Sequence, residues 1–347
     1  MLLRVARIEV GQDLMANAAA RPVPGVAVLA LAAGLSLTAL GCALGSASPD
    51  PTATPTATAT ATATSTPSPT PRPDALNLGS VSPALVELQL RLQQEVTSYA
   101  ERVGGSFSIV VTDLQTGETV DVNGNDPNRI PGCTMNFFVL LSVAQDLQAG
   151  LYPESDVGRF IAQTVWASDP GTGHYLLRVT GGGNSEVGLW KVNDLLRNKL
   201  RLASAVYDHP PANDVYTLVP GQWQENRVSP LDFNRALTML YRGEVLNPEW
   251  TAYLIDKMSR VKPGLNHLIP AGVSDPAAVV SHKNGYIDYV PYYVDNDVGI
   301  VTFRRGDRQY AYALTFWSQD NPWVLSDVTL GQTVSLLVWE HFSATYQ

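Results

Sequence analysis

The 347 residues contain two cysteines, Cys42 and Cys133, and the second stands where a thiol can do chemistry. In "RIPGCTMNFFVLLSVAQ", Arg129 to Gln145, a turn at Pro131-Gly132 gives way to a long apolar helical pattern, and Cys133 opens it. A thiol in the first turn of a helix faces unsatisfied backbone N–H groups and the positive end of the helix dipole, which favour the thiolate and nucleophilic attack. The same residue also reads as a small apolar group packed beneath a sheet, the commoner fate of a free cysteine. If Cys42 is consumed elsewhere, Cys133 is a free thiol in a compartment that favours pairing.

Other chemistries find little to work with. The five histidines are dispersed, with no His-x-x-x-His pair, so no metal site is expected, and no cofactor. The glycines at Gly171–Gly173 and Gly181–Gly183 lack the strand-to-helix setting of a phosphate cradle. A net charge of -9 without any basic cluster excludes nucleic acid as a partner. Trp166, Trp190, Trp250 and Trp339 fall on apolar pattern and are expected in the core.

The chain divides by composition. Arg4, Arg7 and Arg21 precede a nearly uncharged run from Val23 to Cys42, the layout of an export signal. The run ends in Leu40-Gly41-Cys42, which resembles a bacterial lipobox; that resemblance implies cleavage before Cys42 and its acylation as a membrane anchor. An uncleaved signal anchor is the alternative, since about 20 apolar residues can span a bilayer. Either way residues 1–42 place the remainder outside the cytoplasm, anchored to the cell membrane. Residues 43–74 are a Thr/Ala/Pro/Ser-rich tract with nothing large to bury, hence a disordered tether with a reach on the order of 80 Å. The folded domain is assigned to residues 75–347 and expected to be a monomer.

Within it, Ser82 and Pro83 open an amphipathic helix through Leu85, Leu88, Leu92 and Val96. A hairpin turning at Thr116-Gly117 follows, then the helix from Cys133 to about Gln148. Helices are predicted over 186–200, from Pro230 behind Ser229, and from Pro248 behind Asn247. Strands return at 277–285, 298–306 and 308–318 before a final helix over 326–346. Strands at both ends with helices between them predict an α/β (α+β) domain: one antiparallel sheet flanked by the N- and C-terminal helices, with an inserted helical lobe.

This order of hairpin, Pro-Gly turn, nucleophile-type residue and apolar helix resembles the class A β-lactamases and related penicillin-recognising serine hydrolases, over nearly all of Pro83 to the C-terminus. That family carries Ser-x-x-Lys, Ser-Asp-Asn and Lys-Thr-Gly. Here the first reads Cys133-Thr134-Met135-Asn136, a thiol for the hydroxyl and a neutral amide for the lysine. The second is matched by Ser168-Asp169-Pro170, and the third by Lys283-Asn284-Gly285. The resemblance implies catalytic positions at Cys133, Asn136, Ser168 and Lys283, and ligand-binding positions at Asp169, Asn284 and Gly285. The glutamate base of the family has no good counterpart, Glu225 being the sole carboxylate in its loop. Ser259-Arg260-Val261-Lys262 fits Ser-x-x-Lys literally but ends its helix before Pro263, so it is set aside.

Two functions follow. With its lysine lost, the site reads as degenerate, a cleft that binds a peptidoglycan-derived or β-lactam-like carboxylate near Lys283 without turnover. Alternatively Cys133 attacks an amide or β-lactam carbonyl itself, a thiol needing less base assistance than a hydroxyl.

Overall fold

The computed structural model describes residues 81–205, 207, 226–289 and 292–347. Cys42, the tether and Glu225 lie outside them. All described residues belong to Pro67–Gln347, the second of two units into which the chain divides.

Helix α1, Pro83–Val103, starts with proline in its first turn and buries Leu85, Leu88, Leu92, Val96 and Tyr99, a stripe at helical spacing. Strands β1 (Ser106–Asp113) and β2 (Thr119–Val122) form the hairpin. After the turn at Pro131-Gly132, residues Gly132–Met135 form a 3-10 turn, and α2 runs from Asn136 to Gln148. Cys133 therefore belongs to the 3-10 turn that leads into the helix rather than to the helix itself: the N–H of Asn136 bonds back to Cys133 O and Thr134 O, tightening the entry. Helix α2 is buried nearly all round, from Phe137 through Ala144, as a central core helix must be.

The helical lobe comprises α3 (Glu154–Trp166), α4 (Pro170–Thr180), α5 (Ser185–Asp194), α6 (Pro230–Tyr241) and α7 (Pro248–Met258). Two predicted caps are in place, Ser229 Oγ accepting from Asp232 N at 3.1 Å and Asn247 Oδ1 from Trp250 N at 3.0 Å, whereas Ser82 precedes α1 without a side-chain cap hydrogen bond. The α5 helix gives way at Leu195 to a π turn through Lys199, shorter than the helix expected over 186–200. Ser259 caps the C-terminal end of α7, so its Ser-x-x-Lys match ends a helix rather than opening one, as the sequence predicts.

A short helix α8, Ile269–Gly272, precedes β3 (Val279–Tyr289), β4 (Tyr292–Arg305) and β5 (Arg308–Gln319), and α9 spans Val328–Thr345. Strands β3 and β4 are longer than predicted, paired from Val279↔Thr302 to Tyr289↔Tyr292, because Gly285 continues the ladder instead of ending it. The sheet has the order β2-β1-β5-β4-β3 with every neighbour antiparallel. Its strands bury side chains on both faces at period two. Tyr312, Leu314 and Phe316 of β5 join α1 and α9, whereas Ala311, Ala313 and Trp317 join α2 and α6. The expected architecture of sheet, terminal helices and inserted lobe is thus the observed one.

Two of the four tryptophans assigned to the core are not there. Trp166 is 48% and Trp190 69% exposed; each lies on an apolar stretch of its helix but faces outward, and Lys262 covers the Trp166 ring at 5.9 Å. Among the described residues no helix is long and apolar enough to cross a membrane, and no cluster of three or more His, Cys, Asp or Glu could hold a metal.

Candidate active site

The floor of the site is the contact between the 3-10 turn and the middle of β3. Gly132 takes φ +56°, a left-handed conformation that favours glycine, and Thr134 Oγ1 closes the turn onto Pro131 O at 2.7 Å. The approach of β3 is close enough to demand a second glycine. A Cβ on Gly285 would lie 2.5 Å from Thr134 N and 2.6 Å from Pro131 O, both backbone atoms. Gly285 thus sets the distance between the turn bearing Cys133 and the strand bearing Lys283. Gly285→Ala is expected to push the two apart at a cost of about 1–3 kcal/mol. Thermal unfolding reads that loss, and slower alkylation of Cys133 reads the lost alignment.

The segment entering the turn is held from the sheet. Asn296 Nδ2 on β4 donates to Ile130 O at 2.9 Å, and Gln319 Oε1 at the end of β5 accepts from Ile130 N at 3.2 Å. Neither residue carried a motif, and neither was singled out from sequence.

Ser168 sits just before α4 with φ +54°, strained for a residue other than glycine. The conformation turns its hydroxyl toward β3. Lys283 Nζ donates to Ser168 Oγ and, at 2.6 Å, to Asn284 O, while Ser168 Oγ donates to Asn284 O at 3.2 Å. The Lys283 side chain is 0% exposed and both acceptors are neutral. Burial pushes its amine down to about 8, against the opposing pull of the nearby Cys133 and Asp297. Cys133 itself is a free thiol, half-buried. The structure thus brings Cys133, Ser168, Lys283 and Gly285 together around one point.

The other three predicted positions do different things. Asp169 caps α4, its Oδ1 accepting from Thr172 N at 2.7 Å. Asn136 lies against Gly173 of α4; a Cβ there would come within 3.0 Å of its Nδ2, and that nitrogen is buried without a hydrogen-bond partner. Asn284 follows Lys283 with its Oδ1 likewise buried and unpartnered. An amide at Asn136 has no lone pair able to take the Cys133 proton. Next to Lys283, His282 places Nδ1 2.8 Å from Asp297 Oδ1 and Nε2 3.1 Å from Asn266 Oδ1, a buried pair on β3 and β4.

The fold has known relatives. A model of the β-lactamase enzyme family matches residues 175–342, a stretch that holds Lys283-Asn284-Gly285 and begins after Ser168. Solved structures agree over most of the chain. PBP-A is 20% identical, with a TM-score of 0.59, covering 75% of this chain and 97% of its own. A β-lactamase from Chitinophaga pinensis is 20% identical at a TM-score of 0.59, covering 72% of this chain and 98% of its own. A β-lactamase from Sphaerobacter thermophilus is 17% identical at 0.59, covering 71% and 94%. No curated protein matches by sequence. The chain is β-lactamase-like in fold, and its C-terminal half matches that family in sequence.

Proposed function

We propose that this is an extracytoplasmic β-lactamase-like domain in which Cys133 is the nucleophile toward an amide or β-lactam carbonyl of the cell envelope. What carries this is the Lys283 amine. Buried, near neutrality and hydrogen-bonded to two neutral oxygens, it can do the work for which Asn136 is unfit. As a neutral amine it spends two N–H bonds on Ser168 Oγ and Asn284 O and keeps a lone pair for the thiol proton.

The step balances with the groups present. The Cys133 proton passes to Lys283 Nζ, the sulfur–carbon bond forms, and the carbonyl carbon's bond to nitrogen breaks. The leaving nitrogen then takes a proton from Lys283 through the Ser168 hydroxyl. One of the structural neighbours, a PBP-A variant, is described as an acyl-enzyme complex with penicillin G; a thioester at Cys133 is the corresponding species here. The apolar run from Val23 to Cys42 and the tract behind it support attachment to the membrane by a long tether.

Binding without turnover, the other function considered, is favoured by one observation: the buried Nδ2 of Asn136 without a partner, where the resemblance expects a lysine. A fluorescent penicillin separates the two. Covalent labelling of the wild type, lost in Cys133→Ala, supports the nucleophile; absence of label, with binding still detected by calorimetry, establishes the ligand-binding function instead.

A further inference from the structure

The last backbone groups able to hold the segment that enters the Cys133 turn belong to Ile130. Pro131 has no N–H to donate, and its carbonyl is taken by Thr134 Oγ1 at 2.7 Å. Ile130 is buried, so its own N–H and C=O must find partners inside the protein. Both partners are side chains of the sheet: Gln319 Oε1 accepts from Ile130 N at 3.2 Å, and Asn296 Nδ2 donates to Ile130 O at 2.9 Å.

Asn296 is itself held at both ends. It is fully buried on β4, directly across the β3–β4 ladder from Gly285, the glycine that lets β3 lie against the turn. The β4–β5 pairing runs as far as Asp297↔Phe316, and beyond it Ser318 N donates to Asn296 Oδ1 at 2.9 Å. One amide thus joins the end of β5 to the segment ahead of Cys133. Gln319 follows Ser318 on β5, so the two grips on Ile130 come from neighbouring strands. A leucine at 296 would fill the same space but leave two buried backbone groups, Ile130 O and Ser318 N, without these bonds.

We propose that Asn296 and Gln319 are positioning residues for Cys133: by holding both backbone groups of Ile130, three residues ahead of the thiol, they fix the 3-10 turn against β3 with Cys133 in reach of Lys283. Gly285 sets how close strand and turn can come, and the two amides keep them there. The inference rests on the reading that Lys283 takes the Cys133 proton, but its test needs no acyl chemistry and includes Lys283 itself, so the two can fail separately.

The test is the pH dependence of Cys133 alkylation by iodoacetamide in the full-length protein, wild type against Asn296→Leu, Lys283→Met and the two combined. Leucine is neutral and close to asparagine in shape, so a shifted profile cannot come from a new charge. Asn296→Leu is expected to move the profile to higher pH by about one unit, roughly tenfold slower alkylation at pH 7. It is expected to add nothing to Lys283→Met, because without the amine the alignment no longer matters. A residue that served the fold alone would lower the denaturation midpoint and leave the profile where it was. Should Asn296→Leu fold poorly, Gln319→Met at the half-buried second grip decides the matter, with a shift in the same direction expected. Clamp variants that coincide with wild type while Lys283→Met departs from it overturn the positioning role alone. A Lys283→Met profile that coincides with wild type overturns the reading beneath it as well.

Discussion

Lys283→Met is expected to slow acylation of Cys133 by about 10²–10⁴-fold while making the protein more stable at neutral pH. The kinetic loss is that of a general base, which typically contributes this much. The gain in stability has the same origin. In the unfolded chain the amine titrates near its ordinary value of 10.5, whereas in the fold it titrates at about 8. Below about 8 the folded protein must bury an ammonium that water would otherwise solvate, a difference worth about 3 kcal/mol. As the pH rises from 8 toward 10.5 the unfolded state alone keeps its proton, so the wild type loses this handicap and gains stability. Methionine carries no proton and fills a similar volume. Denaturant unfolding followed with pH should therefore show the wild type approaching the variant across that window. A parallel pair of curves, or a variant less stable at pH 7, contradicts a buried, weakened amine.

The second large effect lies far from the sulfur. Asp327, at the N-terminus of α9, is 0% exposed. Burial first, and then the charge of Asp295, push its carboxyl up from 3.8 to about 7, with the Ser318 and Asn321 side chains opposing them. Its neighbour Asp295, likewise raised chiefly by burial, is held by His267 at 2.8 Å, whose own pKa is raised by that contact against the effect of burial. The sign follows from which state ionises first. Below about pH 4 Asp327 is protonated in both states and contributes nothing. Between about 4 and 7 the unfolded chain ionises and the fold does not, so stability is lost progressively, up to about 4 kcal/mol. Asp327→Asn removes the titration and keeps the shape. It is expected to be more stable than wild type by roughly that amount at pH 8 and equal to it near pH 4, as guanidinium melts at the two pH values would show. Equal stability at both would mean that Asp327 ionises normally in the fold.

Chain order carried much of this site. Cys133 stood out by a local pattern, a Pro-Gly turn before an apolar helix, whereas Ser168 and Lys283 entered only through the order of motifs that the resemblance to the β-lactamases supplies. Local chemistry is legible; a serine before a helix and a lysine on a strand are too common to be. Tyr207 had no such pattern. Its backbone is held by the Asn193 side chain, a pairing that only the fold reveals. Asn296 was hidden for the same reason, an amide in a strand whose use is to hold Ile130 from across the sheet. Trp166 and Trp190 failed in the opposite sense. An apolar pattern tells which residues can be buried, not which face of a helix turns inward, and on α3 and α5 these two rings point largely outward. The extension of β3 past Gly285 was missed because glycine usually weakens a strand; here the absent side chain is what lets the strand lie against the turn.

One measurement tests the central claim most directly: peptide-level mass spectrometry of the full-length protein after incubation with benzylpenicillin at pH 8. A single penicilloyl group on the peptide containing Cys133, absent from Cys133→Ala and formed far more slowly in Lys283→Met, is the predicted result. An unmodified Cys133 in the folded wild-type protein at saturating penicillin would contradict it and leave a site that binds without reacting.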